Sequence, residues 1–242
     1  MIFVNLAKLS LGLQSLKLLR NLGAASRMSD MAETHIVIEP FGLRGTLSWP
    51  ERSNALIVFA HGSGSSRLSP RNRQVAEALN ARGMATFLFD LLTADEERDR
   101  RNVFDIPLLA DRLIGAVRWL DHEKETGGLH LGLFGASTGA AAALIAAAQM
   151  EDRVEAVVSR GGRPDLAMEH LSKVHAATLL IVGGDDTAVI SLNELAFEVL
   201  HEPKALEIIP GATHLFSEPG ALEDVIEHAA QWFERYLGAQ ST

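Results

Sequence analysis

The chain is predicted to be α/β, with about eight strands in a mostly parallel sheet, helices on both faces and no large cap domain. Three observations carry this. From residue 55 onward, short apolar runs alternate with helical segments, the pattern of βαβ crossovers. Several of those runs (55–60, 84–89, 129–134 and 177–182) are apolar or β-branched almost throughout, as in strands buried on both faces, rather than alternating. Only 18 residues separate Val158 from Ala177, too few to build a domain over the strand ends. At 242 residues and 47% hydrophobic content the chain is large enough for one such domain, burying roughly 70–75% of its unfolded surface.

Taken in order, residues 35–39 and 43–49 read as an antiparallel pair of strands turning through Pro40, Phe41 and Gly42. The run 55–60 is the first buried strand. Residues 70–82 follow as a helix, with Pro70 at its start and Gly83 at its end. After the strand 84–89, a charged loop over 93–102 leads to a helix over 106–123. The strand 129–134 is followed by an alanine-rich helix over 138–150. Strands 154–158, 177–182 and 205–209 alternate with helices over 164–171 and 189–200, and a last helix covers 221–237. The domain is placed at 33–242.

Residues 1–32 form a separate basic, amphipathic segment. Lys8, Lys17, Arg20 and Arg27 give residues 1–29 a charge of +4 with no acid, which leaves −13 on the remaining 213 residues of a chain whose net charge is −9. Leu6, Leu9, Leu13, Leu16 and Leu19 recur at helical spacing. Three readings stay open: an extension or upstream start before Met28 or Met31, a helix docked on the domain or a partner, and a helix lying in a membrane interface. The run between Leu9 and Leu16 is too short to span a bilayer. Lys17 and Arg20 follow the leucines rather than precede them, unlike a secretory signal, so a cytoplasmic location is expected. The acidic balance argues against nucleic acid as a partner. With no cysteine, disulfides, thiolate metal sites and a thiol nucleophile are excluded together.

In a parallel sheet of this kind ligands bind where loops leave the C-terminal strand ends. The sharpest motif sits there: Gly135-Ala136-Ser137-Thr138-Gly139, between a strand and a helix. Such a G-x-S-x-G turn holds its serine backbone in a strained conformation, and glycines on either side let strand and helix approach. A serine hydroxyl needs a base, and His214, in the loop after the last strand, is placed to reach it. A carboxylate must orient the imidazole. The segment Gly183-Gly184-Asp185-Asp186 offers two, of which Asp186 has the expected spacing and Asp185 could instead cap the following helix. Backbone N–H groups of Ser63, in the His61-Gly62-Ser63-Gly64 turn, and of Thr138 would hold an oxyanion, with His61 bracing that turn. A phosphate-cradling loop is excluded by spacing, since Gly62 and Gly64 are followed by Arg67. Arg67, Arg160 and Arg163 lie on loops beside the Ser137 strand, where they either clamp a substrate carboxylate or pair with Asp165, Glu218 or solvent.

The segments HGSGSSRLSPRN, LFGASTGAAAAL, SRGGRPDLA, LLIVGGDD and PGATHLF resemble the dienelactone hydrolase-like branch of the α/β-hydrolases, over about 36–237. The resemblance implies the α/β-hydrolase fold, a Ser137-Asp186-His214 triad, no metal or organic cofactor, and hydrolysis of carboxylic esters or lactones. Dienelactone hydrolases proper use a cysteine where this chain has Ser137, so their particular lactone is not carried over. A small ester, neutral or anionic, is the expected substrate. A thioesterase, an acyltransferase, a peptidase or a non-catalytic binding module on the same fold are the alternatives.

Overall fold

A computed structural model of the chain describes residues 32–50 and 52–238. The N-terminal extension, with its docking and membrane readings, lies outside the described residues apart from Ala32, which opens the first strand.

The opening hairpin pairs β1 (Ala32–Ile38) with β2 (Leu43–Trp49), in a register that sets Ala32 opposite Trp49. The first strand starts earlier than its polar sequence suggests, because pairing along the whole of β2 overrides weak local propensity. Six further strands follow: β3 (Ala55–Ala60), β4 (Ala85–Phe89), β5 (His130–Ala136), β6 (Val154–Arg160), β7 (Ala177–Gly183) and β8 (Lys204–Ile209). They form one sheet in the order β1-β2-β4-β3-β5-β6-β7-β8. β2 runs antiparallel to both β1 and β4, and every other pairing is parallel. After β3 the chain first steps to one side, to β4, and then returns to β3's other side as β5. The strand order reverses there, and the crevice beyond the C-terminal ends of β3 and β5 is the expected ligand position in an open parallel sheet.

Helices cover both faces: α1 (Pro70–Ala81), α2 (Arg100–Val103), α3 (Ile106–His122), α4 (Thr138–Gln149), α5 (Met168–Leu171), α6 (Thr187–Val199) and α7 (Ala221–Tyr236). Their starts are written locally. Ser69 Oγ caps α1 at Asn72 N, and Asp105 caps α3 at Leu108 N. The segment expected as a charged loop over 93–102 instead holds a 3₁₀ turn at Glu96–Arg98 and the first turn of α2. The reason is a capping box: Thr93 N and Oγ1 both donate to Glu96 Oε2, at 2.8 and 3.0 Å, while Glu96 N returns to Thr93 Oγ1 at 3.3 Å.

Alternation along β5 divides the core. Leu131 and Leu133 point into the cluster built with α3 and α4, whereas Phe134 belongs to the cluster built with α1 and α7. Between them Gly132 leaves room for a ring: a Cβ there would stand 2.7 Å from the buried Phe233 of α7. Truncating that ring leaves a cavity at the centre of the sheet. Phe233→Ala is expected to cost about 3–5 kcal/mol, read from urea unfolding midpoints at unchanged m-value, and a loss below about 1 kcal/mol would contradict this packing.

Candidate active site

Ser137 stands at the junction of β5 and α4 with φ 51° and ψ −121°, one of two described non-glycine residues with positive φ. Such a backbone costs on the order of 1–3 kcal/mol and persists only where its surroundings over-determine it. The surroundings are visible. Ser137 N donates to Arg160 O on the neighbouring strand at 3.2 Å, and Ser137 O accepts from Arg163 N at 3.1 Å. The flanking glycines are required by contact: a Cβ at Gly135 would lie 2.4 Å from Ala140 Cα, and one at Gly139 would lie 2.2 Å from Ala60 O.

His214 lies in the loop after β8, and its Nδ1 meets Asp186 Oδ2 at 2.7 Å. Asp186 occupies the N-cap position of α6, but its side chain caps nothing; it turns to the imidazole instead. Asp185, the alternative helix cap, is exposed and contributes its backbone N–H to Ala212 O at 2.9 Å. That bond and Gly184 N to Ile209 O, at 2.8 Å, tie the carboxylate loop to the histidine loop. The histidine loop is also braced from within. Thr213 N and Oγ1 donate to Glu218 at 3.0 and 2.6 Å, and these bonds hold the Glu218 carboxyl below its ordinary range. Glu218 is thereby used by Thr213 rather than by an arginine.

A cavity of about 970 Å³ opens over the strand ends, with Ser137, His214, His61 and Ser63 in its wall. The arginines expected around it divide. Arg67 turns away to Asp90, donating its backbone N–H to Oδ1 at 2.8 Å and its guanidinium to Oδ2. Arg163 forms a two-pronged pair with Asp165, at 2.8 and 2.7 Å. Neither lines the cavity; both are held by the protein's own carboxylates, the alternative open from sequence. Arg160 does line it and is 9% exposed. Burial, with the charge of Arg71 nearby, pulls its pKa down to about 10, so it remains a cation at neutral pH. Arg71, at the start of α1, and Arg100, at the start of α2, also line the cavity. Sequence reading passed over both, although a helix N-terminus directly after a strand-end loop is the signal that could have found Arg71.

His61 and Ser63 shape the opposite wall. His61 Nδ1–H donates to Gly62 O at 3.0 Å and Nε2 accepts from Leu91 N at 3.1 Å, which fixes a neutral tautomer bridging the β3 and β4 loops. Ser63 N–H is engaged by the Thr138 hydroxyl at 2.9 Å, a contact that spans 75 residues of sequence. Burial pushes the His61 pKa below its ordinary 6.5. The unfolded chain therefore takes up this proton at a higher pH than the folded one, and the stability held by neutral His61 is complete above pH 6.5 and is lost as pH falls below it. Urea midpoints compared at pH 7.5 and 5.5 should fall more for the wild type than for His61→Gln; an equal fall in both would contradict the role of His61.

A family model described as "Alpha/beta hydrolase domain" matches residues 53–236. A dienelactone hydrolase from Anabaena variabilis has a solved structure that is 53% identical, with a TM-score of 0.83 over 86% of this chain and 99% of that one. Est1E from Butyrivibrio proteoclasticus, at 18% identity and a TM-score of 0.71 over 84% of this chain and 98% of its own, shares the fold. A Mycobacterium tuberculosis protein carrying the provisional name of a phosphoribosyl transferase is 56% identical over 205 residues, 85% of this chain. This chain spans less than half (46%) of that protein's length. Family and fold agree, and the chain belongs to the α/β-hydrolase family, in its dienelactone hydrolase-like branch.

Proposed function

We propose that the chain hydrolyses carboxylic esters or lactones of small substrates through Ser137, His214 and Asp186. The observation that carries this reading is the 2.7 Å contact between His214 Nδ1 and Asp186 Oδ2, made at the rim of the cavity whose wall contains Ser137 on its strained turn. With Nδ1 committed to the carboxylate, the imidazole is oriented and Nε2 is left to act as base.

Nε2 takes the Ser137 Oγ proton as the oxygen attacks the substrate carbonyl. Charge moves onto the carbonyl oxygen, where the backbone N–H groups of Thr138 and Ser63 stabilise it; the oxyanion takes over the Ser63 N–H from the Thr138 hydroxyl. His214 then returns the proton to the leaving alcohol, the C–O bond breaks, and an acyl-Ser137 ester remains. Water, deprotonated by the same Nε2, attacks that ester and releases the acid, restoring Ser137. Among the described residues the Ser137 hydroxyl forms no hydrogen bond with His214, and nucleophile–base contacts of this kind commonly tighten only with substrate in place.

The connection between β6 and β7 is limited to a 3₁₀ turn at Pro164–Ala167, α5 and short loops, so among the described residues it places nothing of domain size over the cavity. A β6–β7 connection this short favours short substrates over long acyl chains.

Two comparisons of steady-state kinetics on a panel of short esters test the reading. Ser137→Ala is expected to lower kcat by about 10⁴–10⁶-fold with the fold retained, and a loss below about tenfold would remove the covalent mechanism. Asp186→Asn is expected to lower kcat by roughly 10⁴-fold while Asp185→Asn stays within about threefold, because only the first holds the imidazole tautomer. The opposite ranking would assign the orienting carboxylate to Asp185.

A further inference from the structure

Asn193, in the middle of α6, is fully buried. Its Nδ2 donates to Val189 O, one turn back, at 2.8 Å and to Gly162 O, in the loop after β6, at 3.0 Å. Both neighbours are carbonyl oxygens, which only a donor can meet, so the orientation of the amide is fixed. Its Oδ1 is buried with no hydrogen-bond partner among the described residues. An apolar side chain of the same size would fill this place without leaving a buried acceptor unmet. What the amide adds is the N–H on Gly162 O.

That oxygen belongs to the peptide unit whose nitrogen is Arg163 N, and Arg163 N donates to Ser137 O at 3.1 Å. Ser137 O belongs in turn to the peptide unit whose nitrogen is Thr138 N. In a trans peptide the C=O and N–H point in opposite directions, so a bond received at the oxygen is continued by the N–H at the other end. Two peptide units therefore stand in series between the Asn193 amide and the Thr138 N–H. Each bond accepted polarises its unit and strengthens the next donor, by about 10–30% per bond. Ser137 O also accepts from Ala140 N at 3.1 Å, a bond within the start of α4, whereas the Arg163 bond arrives from outside that helix. The approach is close: a Cβ on Gly162 would lie 1.9 Å from Ser159 Oγ and 2.7 Å from Ala140 Cβ. α6 also carries Asp186 at its N-cap, so one helix holds both the carboxylate that orients His214 and the amide that begins this series.

We propose that Asn193 is a positioning residue for the oxyanion site, aiming and polarising the Thr138 N–H through the Gly162–Arg163 and Ser137–Thr138 peptide units. The proposal rests on the hydrolytic reading above, in which that N–H holds the oxyanion, and deepens it by naming what fixes the donor. Asn193 is not part of the cavity wall and acts through backbone alone. An oxyanion is present in the transition state and not in the bound ester, so loss of its alignment is read in kcat rather than in KM.

Asn193→Leu removes the donor at similar volume, and Asn193→Ser removes it while leaving the site underfilled. Phe233→Ala, in the core cluster opposite the one that α6 joins, controls for lost stability. Rates on short esters are expressed per active site, counted by complete fluorophosphonate labelling. Both Asn193 variants should lower kcat roughly tenfold, less than the 10²–10³-fold of deleting an oxyanion donor outright, with KM within about threefold of the wild type. A trifluoromethyl ketone, to which Ser137 would add as a tetrahedral oxyanion, should bind more weakly by the same factor as kcat/KM. Phe233→Ala should match the wild type in all three quantities. If Asn193→Leu does not fold, Asn193→Ser carries the comparison. An unchanged kcat per active site, unchanged binding of the ketone, or an equal loss in Phe233→Ala overturns the proposal and leaves the hydrolase reading standing. Amide NMR reads the series without turnover: the Arg163 and Thr138 N–H resonances should move upfield in both Asn193 variants and stay in place in Phe233→Ala. If they move while the wild type hydrolyses no ester, the series from Asn193 to Thr138 stands and the hydrolase reading falls. If the Thr138 resonance does not move, the series is overturned.

Discussion

The conformation of one peptide unit governs this site. With φ at 51°, Ser137 projects its side chain above the sheet instead of into either core cluster, and everything that crowds the junction serves to hold it there. The two flanking glycines allow β5, α4 and the end of β3 to come within contacts that no Cβ would survive. Backbone bonds to Arg160 and Arg163 fix Ser137 from the side. The energy stored in such a turn is supplied by the sheet around it, which is why the strained residue lies at the centre of the most buried strands rather than at an edge.

The same sheet sets the distances between chemical groups that are far apart in sequence. Asp186 and His214 belong to loops leaving adjacent parallel strands, β7 and β8, and backbone bonds between those loops bring their side chains to 2.7 Å. Across the cavity, His61 ties the β3 loop to the β4 loop while staying neutral, so that wall is held without a titrating charge. The remaining charges are distributed unevenly. Arg67 and Arg163, outside the cavity wall, meet Asp90 and Asp165, whereas Arg160 and Arg71 in the wall each keep a buried guanidinium nitrogen with no partner among the described residues. An acidic protein thereby presents a positive interior at its strand ends.

Much of this was legible in the sequence, because the signals are local. Apolar runs between helical segments identify the strands, and the G-x-S-x-G turn and the histidine after the last strand announce themselves by position. What sequence left open depends on partners far along the chain. Arg67 and Arg71 are four residues apart, yet Asp90, 23 residues from Arg67, draws the first out of the cavity while the second remains. Asp185 and Asp186 are separated by what each meets in the fold: Asp186, at the N-cap of α6, turns its carboxylate to His214, while Asp185 is exposed and bonds Ala212 O through its backbone N–H. The Thr93–Glu96 capping box was readable, but the surrounding charges masked the helical turns it starts. The Thr138 hydroxyl on Ser63 N–H could not be seen without the fold.

The proposed hydrolysis depends on Ser137 being a nucleophile activated by His214. Treating the folded protein with a fluorophosphonate and locating the adduct by peptide mass spectrometry tests it directly. A single adduct on Ser137 is expected in the wild type, and its loss in His214→Ala. A folded wild type without an adduct, or one labelled on another residue, would contradict it.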